Sequence, residues 1–224
     1  PGAPMKVEDA DDFLVWMALG IMIGGRVGYL LFYAPAGTLD NPLNAFAVWN
    51  GGMAFHGGFA GVVIALAGFA WVKGVSWLRI ADYMACVYPI GHIFGRAANF
   101  INGELWGRPT DGSWGIIFPL AGPEPRHPSQ LYQLGLEGLL PFVVLGWLFW
   151  RTDIRLKPGY LSGGFLLLMG VGRYVCEFFR EPDRHLGVLS IGLTMGQLLT
   201  VVMFGVGAVL LFLGRWKGHD SNVA

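Results

Sequence analysis

The residues best suited to chemistry lie in the stretch GRAANFINGELWG, which runs from Gly95 to Gly107. If this stretch is helical to about Ile101, Arg96 and Asn99 share a helix face, because residues three positions apart are neighbours on a helix surface. The planar guanidinium fork of arginine suits phosphate and carboxylate groups better than the ammonium of lysine does. The pattern therefore predicts an anion site with Glu104 just beyond the helix. The alternative is a purely structural ion pair between Arg96 and Glu104.

A second charged stretch, GRYVCEFFREPD, begins at Gly172. Arg173, Glu177 and Arg180 recur at positions i, i+4 and i+7, so they form one charged stripe on an otherwise apolar helix. The stripe must face protein or water, because an ionisable side chain near the centre of a membrane costs about 2.5 to 3.5 kcal/mol. Two arginines around one carboxylate leave a positive charge that would attract an anion. In the structural alternative, Glu177 neutralises Arg173 and Arg180 extends to the membrane surface.

A histidine is the third candidate. His56 lies early in an apolar stretch and is followed by Gly57 and Gly58, which allow another backbone or a ligand to come close. Imidazole titrates near neutrality, so His56 could act as a base, and a packing role is the alternative. We interpret His92, about one turn before Arg96, as structural.

A polar stripe is also present in RHPSQLYQLGLEG, where Gln130, Gln133 and Glu137 recur at positions i, i+3 and i+7. We expect the stripe to point inward. Glu137 either belongs to the functional site or neutralises a buried arginine such as Arg26 or Arg173.

The composition places these residues in a membrane protein. Of the 224 residues, 54% are hydrophobic and 13% are charged, whereas a soluble domain usually has about 25% charged residues. An ordinary soluble enzyme is therefore excluded. Several apolar stretches are long enough to cross about 30 Å of hydrocarbon. They predict an all-α, polytopic membrane protein with a single transmembrane domain of residues 1–224. The six predicted transmembrane helices are Phe13–Tyr33, Gly52–Val72, Tyr83–Ile101, Ser129–Trp150, Leu161–Phe179 and Val188–Leu213.

The positions of lysine and arginine predict the orientation, because cytoplasmic loops carry an excess of both. Most basic residues outside the spans fall in alternate connections and in the tails, so we expect both ends to be cytoplasmic. The Gly/Pro-rich segment 102–128 is then periplasmic. Basic and acidic residues total 15 each, which gives no indication of a nucleic-acid partner. No cluster of Cys, His and Asp suggests a metal, and neither a metal nor a cofactor is expected.

The sequence resembles the bacterial prolipoprotein diacylglyceryl transferases. The stretch GRAANFINGELWGRP looks like the family signature, and GGMAFHGG, RHPSQLY and EFFREPD match further blocks in the order of the family. The resemblance implies seven transmembrane helices in the family, of which the first is absent here. Consistent with this, the start PGAPMKVEDADD lacks an initiator methionine, and we expect the native protein to begin earlier.

The resemblance also implies an activity and residue roles. The enzyme would transfer the diacylglyceryl group of phosphatidylglycerol to the lipobox cysteine of a preprolipoprotein with its signal peptide, in the bacterial inner membrane, and release glycerol phosphate. Arg96 and Arg173 would be the essential arginines, and His56 the base. The remaining implied residues, supporting or substrate-binding, are Asn99, Glu104, Gly107, Glu177 and Arg180. From the residues alone, an anion transporter or channel with an intramembrane arginine site stays open as an alternative.

Overall fold

The structure, a computed structural model, describes residues 3–32, 43, 46–47, 49, 51–181 and 195–220. It is predominantly α-helical. Its helices are α1 (Ala10–Phe32), α2 (Phe55–Lys73), α3 (Trp77–Ile101), α4 (Ser129–Gln133), a π-helical segment (Leu134–Leu139), α5 (Leu140–Arg151), α6 (Tyr160–Glu177) and α7 (Met195–Asp220).

Each predicted span overlaps one long helix, because α4, the π-helical segment and α5 run on without a break as Ser129–Arg151. Within the described ranges, Val7–Phe32 and Ser129–Arg151 are long and apolar enough to cross a membrane, and Gly57–Lys73 and Thr200–Phe212 are shorter apolar helices. The architecture is consistent with an α-helical membrane protein. The number of helices that cross stays a prediction, and residues 33 and 188–194 of the predicted spans lie outside the described residues.

The chain divides into two compact units, Pro1–Ile80 and Ala81–Ala224. In the first, α1 and α2 pack through glycines. A Cβ atom added to Gly28 would lie 2.7 Å from the Cα atom of Gly57, and one added to Gly24 would lie 2.8 Å from the Cα atom of Gly61. Both distances are shorter than real Cβ contacts. Gly24 and Gly28 therefore allow the close approach of the two helices that is typical of helix packing in lipid.

Arg26, on α1, is buried in the first unit. Its Nη1 atom donates hydrogen bonds to the carbonyl oxygens of Gly51 (2.7 Å) and Gly52 (3.1 Å), which precede α2. Both glycines have a positive φ, 79° and 82°, a conformation that side-chain-bearing residues rarely adopt. The local backbone thus turns two carbonyl groups towards a buried cation.

In the second unit, the π-helical segment contacts both α3 and α6. A Cβ atom on Gly138 would lie 2.6 Å from the Cγ1 atom of Ile93 on α3, and one on Gly172 of α6 would lie 2.8 Å from the carbonyl oxygen of Leu136. A π-helical turn adds a residue to the helix and often occurs at functional sites. Here it brings the side chain of Glu137 to the region between α3 and α6.

Residues 102–128 form turns and a small antiparallel sheet, in which β1 (Ile116–Ile117) pairs with β2 (Pro125–Arg126). Further main-chain bridges join Pro109 to Arg126 and Gly107 to Arg180. The segment is therefore tied to the end of α6. Its placement on the periplasmic side stays a prediction.

The packing of α1 and α2 can be tested at two glycines of α2. A Cβ atom on Gly61 would lie 2.9 Å from the carbonyl carbon of Gly20, whereas one on Gly58 would meet nothing closer than 3.6 Å. We expect Gly61→Ala to destabilise the protein by about 1–3 kcal/mol, the usual effect of overpacking. Gly58→Ala, the matched control, should leave the thermal unfolding midpoint in detergent near that of wild type. Equal midpoints for the two variants would contradict the close approach.

Candidate active site

Arg96, Asn99 and Glu104 form one hydrogen-bonded chain at the end of α3. The Nη1 atom of Arg96 donates to Oδ1 of Asn99 over 3.2 Å, and Nδ2 of Asn99 donates to Oε1 of Glu104 over 3.0 Å. The amide of Asn102 donates to the same carboxylate oxygen over 3.2 Å. Among the described residues no carboxylate lies within 4.0 Å of the Arg96 guanidinium. The alternative of a direct ion pair between Arg96 and Glu104 is therefore wrong, because the side chain of Asn99 lies between the two.

The turn after α3 brings Glu104 back towards the helix. Gly103 has a φ of 64°, and the backbone N–H of Glu104 donates to the carbonyl oxygen of Asn99 over 3.0 Å. Two residues of RHPSQLY hold this turn from the other side, because Nε2 of Gln130 donates to the Glu104 carbonyl over 2.6 Å and Oγ of Ser129 donates to the next carbonyl over 3.1 Å. Two motifs far apart in sequence thus build one piece of structure.

Arg173 and Glu177 of the second charged stretch lie at the end of α6, as predicted. Arg180 follows the helix, which ends at Glu177, and forms a main-chain bridge with Gly107. The Nη2 atom of Arg173 lies 3.0 Å from Oε2 of Glu177, and Nη1 of Arg180 lies 4.0 Å from the same oxygen. Glu177 is buried, while both arginines are partly exposed. One buried carboxylate therefore faces two guanidinium groups that stay accessible.

The Arg96 end of α3 and the charged end of α6 lie close to each other. Arg173, Arg180 and Glu137 all lie close enough to Arg96 to interact with it electrostatically. Glu137 is 2% exposed and is within electrostatic reach of both Arg96 and Arg173. Three guanidinium groups therefore share a region with the buried carboxylates of Glu137 and Glu177, while the carboxylate of Glu104 is exposed. The buried carboxylates alone do not neutralise the three arginines.

Glu137 also has a partner on α3. Its Oε2 atom lies 3.4 Å from Nε2 of His92. Of the two arginines named as partners for Glu137, Arg173 is within electrostatic reach, whereas Arg26 donates to the carbonyl groups of Gly51 and Gly52. A role of Glu137 in the functional site stays a prediction. The link from His92 to Glu137 could not be read from the sequence, because the residues are far apart along the chain and no shared motif connects them.

A groove of about 520 Å³ runs along one face of α3. Its polar side chains are those of Arg96, Asn99 and His92, and the other lining residues are aromatic, aliphatic or glycine. This combination suits a ligand with an anionic head and apolar chains. The lining consists of Met84, Val87, Tyr88, Gly91, His92, Gly95, Arg96 and Asn99.

Gly107 is enclosed by His127 of segment 102–128 and by Phe179 beyond α6. Its N–H donates to the carbonyl oxygen of His127 over 2.9 Å, and a Cβ atom would lie 2.7 Å from that same oxygen. The Nε atom of Arg108 donates to the carbonyl oxygen of Arg180 over 3.0 Å, and Nη1 of Arg126 pairs with Oε2 of Glu181 over 3.0 Å. The structure thus places Gly107 beside the charged end of α6.

His56 lies in the first turn of α2, and its side chain is outside the described part of the structure. Its role as a base therefore stays a prediction. The glycine after it has a clear function: Gly57 packs directly on the backbone of Gly24 and Gly28 in α1. Of the two uses considered for Gly57, the close approach of another backbone is the one observed.

These features define a helical protein, consistent with a membrane protein, in which three partly exposed arginines lie near two buried carboxylates. The chain belongs to the prolipoprotein diacylglyceryl transferase family, whose model matches residues 2–213.

Relatives named phosphatidylglycerol–prolipoprotein diacylglyceryl transferase are similar along nearly the whole chain. The protein of Zymomonas mobilis is 54% identical, over 96% of this chain and 75% of its own length. That of Gluconacetobacter diazotrophicus is 52% identical, over 93% and 76%, and that of Paramagnetospirillum magneticum is 50% identical, over 99% and 82%.

The carboxylate of Glu104 gives a test by pH. Hydrogen bonds from the amides of Asn99 and Asn102 lower the pKa of Glu104 from its ordinary 4.5. A lowered pKa in the folded state means that these bonds stabilise the fold fully above the unfolded pKa, and that this contribution is lost as the pH falls through the lower, folded value. We expect Glu104→Gln to remove this part of the acid dependence of the unfolding midpoint between about pH 6 and pH 3. The exposed Glu124→Gln is the control; identical acid profiles for wild type and Glu104→Gln would refute the assignment.

Proposed function

We propose that the protein transfers the sn-1,2-diacylglyceryl group of phosphatidylglycerol to the lipobox cysteine of a preprolipoprotein. Membership of the family and the names of the relatives support the two substrates. The observation that carries the proposal for the site is the convergence of Arg96 and Arg173 around buried carboxylates at the α3 groove. Paired guanidinium groups fit phosphate as well as carboxylate groups, and phosphatidylglycerol offers a phosphodiester.

The reaction is a displacement at carbon. The cysteine sulfur attacks the sn-3 carbon of the diacylglyceryl group, a thioether C–S bond forms, and the C–O bond to phosphate breaks. The electron pair of that bond leaves with glycerol phosphate. Negative charge thus moves from sulfur to the phosphate oxygens, so guanidinium donors fixed at the phosphate stabilise the transition state more than the ground state. Arg96 and Arg173 take this role.

The other residues support these arginines. Asn99 orients Arg96 through the observed hydrogen bond, and Glu104 holds Asn99. Glu177 and Arg180 complete the phosphate-binding end of α6, and Gly107 allows the outer segment to close against it. We assign the deprotonation of the thiol to His56, because a thiol with an ordinary pKa of about 8.5 is mostly protonated at neutral pH. No cofactor enters the scheme.

A membrane setting suits both substrates. Phosphatidylglycerol has two acyl chains, and the lipobox cysteine follows a signal helix, so both would reach the groove sideways from the bilayer. We place the chain in the bacterial inner membrane as one multi-pass domain, with the site towards the periplasm and the C-terminus in the cytoplasm. The excess of lysine and arginine in alternate connections supports this orientation.

The two arginines give the most direct test. We expect Arg96→Ala and Arg173→Ala each to lower peptide-dependent release of glycerol phosphate at least about 100-fold, because a lost transition-state donor costs about that much. The assay uses purified protein, phosphatidylglycerol vesicles and a lipobox peptide, with correct folding verified by the unfolding midpoint. Arg151→Ala at the end of α5 is the control. Full activity in either site variant would remove that arginine from the mechanism, and anion flux without peptide-dependent release would favour a transporter.

The base is tested separately. We expect His56→Asn to lower turnover most below neutral pH, where little of the thiol ionises on its own, and to lose less at alkaline pH. Turnover of wild type and variant is compared from pH 6 to pH 9. A variant with the wild-type rate and the wild-type pH dependence would exclude His56 as an obligatory base.

A further inference from the structure

Asp82, near the start of α3, binds the beginning of α6. Its Oδ2 atom accepts a hydrogen bond from the N–H of Gly159, and its Oδ1 atom accepts bonds from the N–H and the hydroxyl of Ser162, each over 2.7 Å. The side chain is 2% exposed. A buried carboxylate at the N-terminus of a helix is stabilised by the free N–H groups and the helix dipole. Asp82 is thus the N-terminal cap of a helix 77 residues away in sequence.

We infer that Asp82 is a positioning residue for the proposed reaction, because it sets the register of the two helices that carry Arg96 and Arg173. The inference rests on the proposed function for its catalytic consequence, and on geometry alone for its structural part. Arg96 on α3 and Arg173 on α6 both lie towards the opposite ends of their helices.

The register can be read from residue offsets. From Asp82 on α3 and from Gly159 on α6, equal steps along the chain lead first to a pair of rings in contact and then to a pair of charges within electrostatic reach. The sixth residue after each is Tyr88 and Phe165, whose ring centroids lie 5.3 Å apart. The fourteenth after each is Arg96 and Arg173, which are electrostatic neighbours. The two helices therefore run in the same direction, in register, from the carboxylate to the site.

At the first of these levels the two helices are joined directly by hydrogen bonds. Beyond the site, the segment after α3 is joined to the residues that follow α6, because the N–H and the Nε atom of Arg108 donate to the carbonyl oxygens of Phe179 and Arg180. Between the two helices at the upper level lies the π-helical segment Leu134–Leu139, which contacts Ile93 of α3 and Gly172 of α6. Apolar packing of this kind tolerates sliding better than three short hydrogen bonds to one carboxylate do. At a rise of 1.5 Å per residue the arginines lie about 21 Å from Asp82, and a slip of one turn would displace one from the other by about 5.4 Å. Displacements of even about 1 Å can cost 100-fold in rate.

The experiment compares Asp82→Ala with Ser162→Ala, which removes one of the three bonds. Thr152→Ala is the matched control, because Thr152 makes two hydrogen bonds next to α5 and touches neither α3 nor α6 through them. We expect kcat to fall about 10-fold to 100-fold in Asp82→Ala and less in Ser162→Ala, with the KM for phosphatidylglycerol changed much less, while Thr152→Ala keeps the wild-type kcat.

A distance measurement separates positioning from simple loss of stability. Spin labels are attached at Phe94→Cys on α3 and Val171→Cys on α6, both exposed and both twelve residues from the ends of the Asp82 contact, after Cys86 and Cys176 are replaced by alanine. We expect the distance distribution to shift or broaden in Asp82→Ala and not in Thr152→Ala. If Asp82→Ala does not fold, Ser162→Ala decides by the same measurement.

The outcomes distinguish the two proposals. Unchanged label distances in the folded variants would overturn the register assignment, and changed distances with a wild-type kcat would overturn its catalytic consequence. If wild-type protein itself releases no glycerol phosphate, the proposed function fails, while the distance measurement still decides whether Asp82 sets the register.

Discussion

The constraint on which this structure depends is that ionisable groups on apolar helices must find their partners within the protein. An uncompensated charge in a medium of low dielectric is too costly to keep. Each buried group meets this demand differently: Arg26 binds two carbonyl oxygens, Asp82 binds two backbone N–H groups and a hydroxyl, and Glu137 lies near His92 and the site arginines. The polar contacts that satisfy these charges therefore also fix which helices are neighbours.

Glycines make these contacts possible. Gly24 and Gly28 let α1 approach α2, while Gly138 and Gly172 let the π-helical segment approach α3 and α6. Without a hydrophobic driving force between helices in lipid, such close packing is a main source of association. At the π-helical segment, packing and charge come together, because the same turn that brings the backbones close also carries Glu137 to the arginines. A side chain at Gly138 or Gly172 would therefore separate Glu137 from the arginines as well as separate the helices.

The charge balance of the site suits a displacement that ends on phosphate. In the proposed site, the buried carboxylates compensate the arginines incompletely, which favours binding of an anion by guanidinium groups that are already held in place. Donors that need no reorganisation during the reaction are the more effective ones. The chain from Arg96 through Asn99 to Glu104, held in turn by Gln130, gives one arginine this rigidity, and the pair with Glu177 gives it to the other.

The sequence by itself determined the helical membrane class, the two arginine-bearing stretches and the family, because hydropathy and helical periodicity are local properties and the signature GRAANFINGELWG is long. Local patterns also predicted the stripe of Arg173, Glu177 and Arg180. Only the tertiary structure decided that Asn99 separates Arg96 from Glu104, that Glu137 lies beside His92, and that Asp82 caps α6. These contacts join residues up to 77 positions apart. Helical periodicity states which face a residue occupies, but the partner on the opposite face depends on how the helices pack, and that packing is set by the whole chain at once.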